Sequence, residues 1–294
     1  MIDTGSHHQR LWLPIMNNPP IGERKMEYTT AIENKMAKNN IYYFSTGKEA
    51  DVFHSAAENK LPVLLKGPTG TGKSRFVEYM ASKLDRELIT ISCHEETSAT
   101  DLIGRFIIKG AETVWMDGPL TIAVKKGAIV YLDEVAEARP DVIVVIHPLT
   151  DHRRQLYIDK LGATITAHSN FMLVASYNPG YQKGFKELKP STRQRFISLS
   201  FNYPNPEAEA TIISNETGLD LQTASKLVTI ASKIRNLKEL GLTETASTRL
   251  LVDAGLLIHS GLPKRLAVKS AIIEPLMDEP EISEALCELS NLIL

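Results

Sequence analysis

Residues 67–74 read Gly-Pro-Thr-Gly-Thr-Gly-Lys-Ser, and no other stretch restricts the folding of this chain as tightly. Glycine at 67, 70 and 72 lets the backbone take conformations closed to other residues and turn its N–H groups inward around an anion. The apolar run Leu61-Pro62-Val63-Leu64-Leu65 leads into the loop, and a helical apolar period runs from Arg75 to Leu84. The loop therefore joins a strand to a helix N-terminus, where the helix dipole also favours a phosphate. That context separates a nucleotide-binding GxxxxGK[ST] loop from an ordinary glycine-rich turn. Gly67, Pro68, Thr69, Gly70, Thr71 and Gly72 form the cradle, Lys73 is set to reach the β- and γ-phosphates, and the Ser74 hydroxyl to sit on Mg²⁺.

Downstream, short apolar runs alternate with helical periodicity, the pattern of βαβ units around a mostly parallel sheet. Five strands are predicted, at 63–66, 88–92, 128–132, 171–176 and 196–201. After Tyr203-Pro204-Asn205-Pro206 the text changes to continuous 3.6-residue periods, with Leu221, Ala224, Leu227, Val228, Ala231 and Ile234 on one helix and Leu250, Leu251, Ala254 and Ile258 on another. The organisation predicted is an N-terminal extension over 1–40 that supplies no catalytic residue, an α/β ATPase domain over 41–203, and a small helical domain over 204–294.

A net charge of −2 among 294 residues gives no basic footprint for duplex nucleic acid. Cys93 and Cys287 lie too far apart in sequence for a CxxC metal pattern, and two cysteines make no disulfide framework. The longest apolar runs, such as Val142 to Ile146, fall well short of the ~20 residues that span a bilayer. No signal peptide is read, so a cytoplasmic protein is expected.

Two acids end the third predicted strand, in Ala128-Ile129-Val130-Tyr131-Leu132-Asp133-Glu134. With a phosphate loop upstream, Asp133 suits the role of holding Mg²⁺, directly or through water, and Glu134 that of polarising the attacking water. The next strand ends in Ser176-Tyr177-Asn178-Pro179. Were that strand to lie between the other two, the Asn178 amide would stand beside the γ-phosphate and orient the lytic water; otherwise Asn178-Pro179 is a turn. Arg193 and Arg195, in Ser191-Thr192-Arg193-Gln194-Arg195-Phe196, are either surface charges or cations for the charge that develops in phosphoryl transfer. Arg249, in Ser247-Thr248-Arg249, could reach back onto a nucleotide between the two domains or be a solvated first-turn arginine.

These motifs, in this order over 41–260, resemble an AAA+ ATPase of the MoxR branch. More narrowly, residues 94–104, 145–154, Asp117-Gly118-Pro119-Leu120 and Ser176 to Gln182 resemble the CbbQ/NorQ/NirQ subgroup, CbbQ most. The resemblance implies a P-loop AAA+ three-layer αβα domain with a five-stranded parallel sheet, followed by an all-helical lid, assembled into a homo-oligomeric ring, typically a hexamer, with ATP and Mg²⁺ at each interface. It implies that Asn178 is sensor 1, that Arg249 is sensor 2, and that Arg195, assisted or replaced by Arg193, is the finger reaching the neighbour's nucleotide. Two hairpins are implied as well, at about 103–115 and 155–170, facing the pore or client.

The same resemblance implies a von Willebrand factor A (VWA) adaptor, CbbO-like, and a client metalloenzyme. Rubisco, released from inhibitory sugar phosphates, is expected; nitric oxide reductase is the NorQ/NirQ alternative. A GvpN-like assembly ATPase and, from a different class, a small-molecule P-loop kinase complete the readings. A GTPase lacks support, since Asn59-Lys60-Leu61-Pro62 misses the final acid of the guanine-reading motif and precedes the loop. Cys93-His94-Glu95-Glu96 and His147 with Asp151-His152 show no recognised metal spacing, so structural or surface roles are expected.

Overall fold

Successive residues of the central strands feed two different cores. Leu64, Val130, Leu132, Leu173 and Ala175 pack on one face, and Val63, Leu65, Ile129, Tyr131, Met172 and Val174 on the other. Side chains alternate across a strand, so a sheet with both faces covered needs apolar residues at nearly every position, which is what these segments carry. Each fully buried Leu or Ile contributes about 2 kcal/mol through the surface it removes from water.

The computed structural model describes residues 41–179, 188–237 and 245–294; the N-terminal extension and the Gly180-Tyr181-Gln182 end of a subgroup motif lie outside the described residues. The central sheet contains β1 (Val63–Lys66), β2 (Leu88–Ser92), β5 (Ile129–Asp133), β8 (Met172–Tyr177) and β9 (Ile197–Ser200). They are all parallel, in the order β2-β5-β8-β1-β9. Helices α1 (Glu49–Glu58) and α2 (Lys73–Lys83) add Phe53, Phe76, Val77 and Met80 to one core, while α4 (Pro119–Lys126) and α5 (Pro140–Ile146) add Leu120, Val124, Val142 and Ile146 to the other. This is the αβα layering of an AAA+ domain.

Three of the five strands start one residue later than the apolar runs suggest, because the first residue is still hydrogen-bonded into the preceding turn. The Ala128 N–H donates to Ala123, Phe171 to His168 and Phe196 to Arg193. Two antiparallel hairpins stand off the sheet: β3 (Gly104–Lys109) with β4 (Glu112–Asp117), and β6 (Gln155–Ile158) with β7 (Ala163–Thr166). The first runs two residues past Trp115, because Gly104 pairs with Asp117 at its base. A Cβ at Gly104 would lie 2.4 Å from the Met116 carbonyl oxygen, so only glycine closes the hairpin there.

From Pro206 onward the described residues are helical: α7 (Pro206–Thr217), α8 (Leu221–Asn236), α9 (Thr248–His259), α10 (Lys264–Val268) and α11 (Pro280–Asn291). Asn205, Asp220 and Ser247 each cap the helix that follows by accepting a backbone N–H. Their apolar stripes, including Ile213, Leu227, Ile234, Leu251, Val268 and Leu286, form a separate core.

Candidate active site

Parallel strands deliver their carboxyl ends to one edge, and the order β5-β8-β1 brings three chemically loaded ends side by side. The phosphate loop leaves β1, Asp133 ends β5, and Ser176 lies near the end of β8. The Asp133 carboxylate is pinned from three sides. Its Oδ1 accepts from the Ser176 hydroxyl at 2.5 Å and the Tyr131 hydroxyl at 2.7 Å, and its Oδ2 accepts from Ser74 at 3.2 Å. Ser176 also accepts the backbone N–H of Glu134 at 3.0 Å. Burial first, and then the Asp133 charge, pushes the Tyr131 hydroxyl above its ordinary range, so it stays a proton donor to Asp133.

Glu134 has a left-handed backbone, φ +55, uncommon for a residue with a side chain. Its side chain is exposed, and it lines a cleft of about 440 Å³. Among the described residues no hydrogen bond holds its carboxylate, while its N–H is fixed by Ser176. A carboxylate on an anchored backbone with open lone pairs is suited to accept a proton.

Across the same cleft lie residues 69–74 of the phosphate loop. Lys73 is buried, and its ammonium donates to the Gly67 and Pro68 carbonyls, each at 2.8 Å. Burial lowers its pKa, the nearby Asp133 and Glu134 oppose that shift, and the nearby Arg249 adds to it. Gly67 itself stands behind the cleft against Phe201, and a Cβ there would fall 2.1 Å from the Phe201 carbonyl oxygen. Gly72, at φ +87, has no atom within 4 Å of its would-be Cβ, which leaves open space along the loop where a phosphate fits. Ser74 Oγ beside the Asp133 carboxylate supplies the hard oxygen ligands a Mg²⁺ ion takes. The residues present therefore fit a Mg²⁺-nucleotide.

These two glycines are expected to fail differently. Gly67→Ala collides with backbone and should lower the free energy of unfolding by about 3 kcal/mol or more in a urea titration. Gly72→Ala meets only left-handed strain, about 1–2 kcal/mol, and should lose nucleotide affinity while staying folded.

Arg249 also lines the cleft, on the first turn of α9. Asn178 follows the last residue of β8, the strand between β5 and β1, and is not among the cleft-lining residues. Arg193 and Arg195 lie away from the cleft as well. Arg195 is exposed and pairs with Asp151 at 3.5 Å; Arg193 is half-buried at the end of α6 (Pro190–Arg193), beside Lys66 and Phe196. Cys93 and His147, weighed above as metal ligands, have structural surroundings. The Cys93 thiol is pushed up to about 12, mainly by burial, and His147 Nε2 lies 3.3 Å from the Thr192 hydroxyl.

Sequence reasoning missed Tyr131 and Ser176, buried hydroxyls in largely aliphatic strands, where a polar atom needs a partner. It also missed Tyr42, Tyr43 and Phe44, which line the cleft ahead of β1. The Arg75 guanidinium donates to both oxygens of Glu216 at 2.9 and 2.8 Å, tying α2 to α7. Nothing local to either residue signals that pairing.

Two family models match the chain: "AAA domain (dynein-related subfamily)" over residues 62–196 and "CbbQ/NirQ/NorQ C-terminal" over 209–293. Protein NorQ of Paracoccus denitrificans is 55% identical over 252 residues, 86% of this chain and 93% of that protein. Protein CbbQ of Hydrogenophilus thermoluteolus is 53% identical over 251 residues, 85% of this chain and 94% of that protein. Pseudomonas aeruginosa NirQ, named a denitrification regulatory protein, is 50% identical over 251 residues, 85% of this chain and 96% of that protein. Among solved structures, a Thermotoga maritima RuvB mutant shares the fold with a TM-score of 0.52 at 17% identity, over 83% of this chain and 68% of that one. Among the described residues no helix is long and apolar enough to cross a membrane.

Proposed function

The chain belongs to the CbbQ/NorQ/NirQ family of AAA+ ATPases, and from that premise we propose that it is the motor subunit of a homo-oligomeric ring, hexameric in the family pattern, which uses ATP hydrolysis to remodel a client enzyme through a VWA-domain partner. The observation that carries the reading is the pinned Asp133 next to the open Glu134, facing Lys73 and Ser74 across one cleft, with Arg249 on its helical wall.

In this mechanism the phosphates of ATP lie against the N–H groups of residues 69–74, and Lys73 gives its ammonium to the β- and γ-phosphates. Ser74 and Asp133 are the residues to hold Mg²⁺, which when bound neutralises phosphate oxygens. Glu134 takes a proton from water as the water oxygen bonds to the γ-phosphorus and the bond to the ADP oxygen breaks. Asn178 orients that water, Arg249 contacts the nucleotide from the helical side, and Arg195 of an adjacent subunit, assisted by Arg193, neutralises the developing charge. Hydrolysis then shifts the helical domain against the α/β domain, and the two hairpins face the pore or client.

Rubisco carrying an inhibitory sugar phosphate is the client we favour. NorQ and CbbQ relatives match this chain about equally, which supports nitric oxide reductase as the second reading. The test adds a VWA-domain partner and each client in turn to the purified chain with ATP. Faster ATP turnover with the partner, and inhibited Rubisco regaining activity only with ATP and both proteins, is the expected result. Recovery of nitric oxide reductase alone would move the client; turnover indifferent to all of them would favour a GvpN-like assembly ATPase. Phosphate transferred to a small molecule would favour a kinase.

A further inference from the structure

Glu209 is fully buried and Arg235 nearly so, and the roles assigned above use neither. A buried ion pair is weak evidence of added stability, because desolvation offsets the attraction, so its geometry has to explain its presence. Arg235 donates from Nη1 and Nη2 to the two Glu209 oxygens at 2.8 and 2.7 Å, and from Nε to the Ala246 carbonyl at 2.7 Å. The Thr248 hydroxyl donates to Glu209 at 2.6 Å. Every one of these bonds ends on residues 246–248, immediately before Arg249, or on the carboxylate that holds them.

The other end of the chain of contacts reaches the phosphate loop. The Arg235 guanidinium carbon lies 4.0 Å from the centroid of the Tyr203 ring. The Tyr203 hydroxyl donates to the Thr69 carbonyl at 3.3 Å and shares a hydrogen bond with Thr245 at 3.0 Å. Loop and helix also touch directly, since a Cβ at Gly70 would fall 2.5 Å from the Ser247 side chain. Among the described residues no hydrogen bond or ion pair holds the Arg249 guanidinium itself, so its direction depends on the backbone that precedes it.

We propose that Tyr203, Arg235 and Glu209 are positioning residues for ATP hydrolysis: they clamp residues 245–248 onto the phosphate loop so that Arg249 enters the nucleotide cleft. The proposal rests on the reading of Arg249 as a nucleotide contact. The clamp runs from the loop carbonyl through the tyrosine ring and the buried fork to the start of α9, so it fixes the mutual position of loop and helix in which Arg249 lines the cleft.

Glu209→Gln strips a charge from a buried fork and is a poor test, because lost folding would mask any lost positioning. Tyr203→Phe keeps the ring under Arg235 and removes only a partly exposed hydroxyl. We measure kcat/KM for ATP in Tyr203→Phe, Arg249→Ala and the double variant of the full chain, with thermal melting as the folding control. Tyr203→Phe is expected to lower kcat/KM about fivefold, the worth of one hydrogen bond, with Tm near wild type. In the double variant the loss should stay at that of Arg249→Ala alone. A wild-type kcat/KM in Tyr203→Phe overturns the clamp and leaves the Arg249 reading standing, as does a double-variant loss nearer the product of the two single losses. A silent Arg249→Ala overturns that reading, and the clamp with it.

Discussion

Glu134→Gln is expected to bind ATP with wild-type affinity and to turn it over about 10²- to 10⁴-fold more slowly, the range that a positioned general base contributes. The substitution is nearly isosteric and removes the one thing an amide cannot do, which is to accept and hold a proton. The surroundings should not move. The backbone at 134 is held by the Ser176 hydroxyl, and Ser176, Tyr131 and Ser74 all donate to the Asp133 carboxylate rather than to that of Glu134. Affinity is set across the cleft by the loop and Lys73, whose hydrogen bonds to Gly67 and Pro68 this change leaves in place. Phosphate release under saturating ATP gives kcat, and a fluorescent ATP analogue gives the dissociation constant. Wild-type turnover would remove Glu134 as the base; lost binding would mean that it serves the nucleotide instead of the water.

What the sequence disclosed about this site, and what it withheld, follows from the range of the interactions. The phosphate loop, the five strands and the acid pair are local patterns: a period of two or 3.6, glycines where φ is positive, acids at a strand end. They were legible because each depends on neighbours in sequence. The αβα layers and the helical C-terminal region follow from the same periodicities, since a strand apolar on both faces must be covered twice. Three strand starts were missed by one residue, because backbone hydrogen bonds of the preceding turns decide them and side chains do not record those bonds.

Contacts over long separations were legible only where two motifs share a ligand. The common Mg²⁺ role brings Ser74 to Asp133 across 59 residues, whereas nothing in either segment points Arg75 to Glu216 across 141. Glu209 reads as one of two acids in the first turn of an ordinary helix, and Arg235 as a basic residue in the last turn of another. Only the packing of α7 against α8 makes them a buried pair. The hydroxyls of Tyr131 and Ser176 were the nearest thing to a signal, because a donor inside an aliphatic strand has to be satisfied somewhere.

Rings in which Arg195→Ala and Lys73→Ala subunits are mixed should hydrolyse ATP, although each variant alone should be nearly inactive. An arginine finger is worth about 10³–10⁵ in kcat, so both parents sit near background and recovery is easily read. Arg195 is exposed, held toward Asp151, and outside the cleft of its own chain. Asp151 is itself fastened by Arg153 and its carboxyl pushed down to about 2, chiefly by that guanidinium, so it stays anionic beside Arg195 over the working pH range. An exposed cation outside its own chain's cleft can serve phosphoryl transfer only on a neighbour's nucleotide. In a head-to-tail ring an Arg195→Ala subunit keeps its own loop, and a Lys73→Ala neighbour keeps its finger. Random mixing at equal amounts then completes roughly a quarter of the interfaces. Recovery near that fraction, with co-assembly verified by sizing, supports action in trans. Flat mixtures with verified co-assembly would sink it. If Arg193→Ala gives the dead parent and the rescue while Arg195→Ala stays active, the finger is Arg193, and the pairing of Arg195 with Asp151 is only a surface contact.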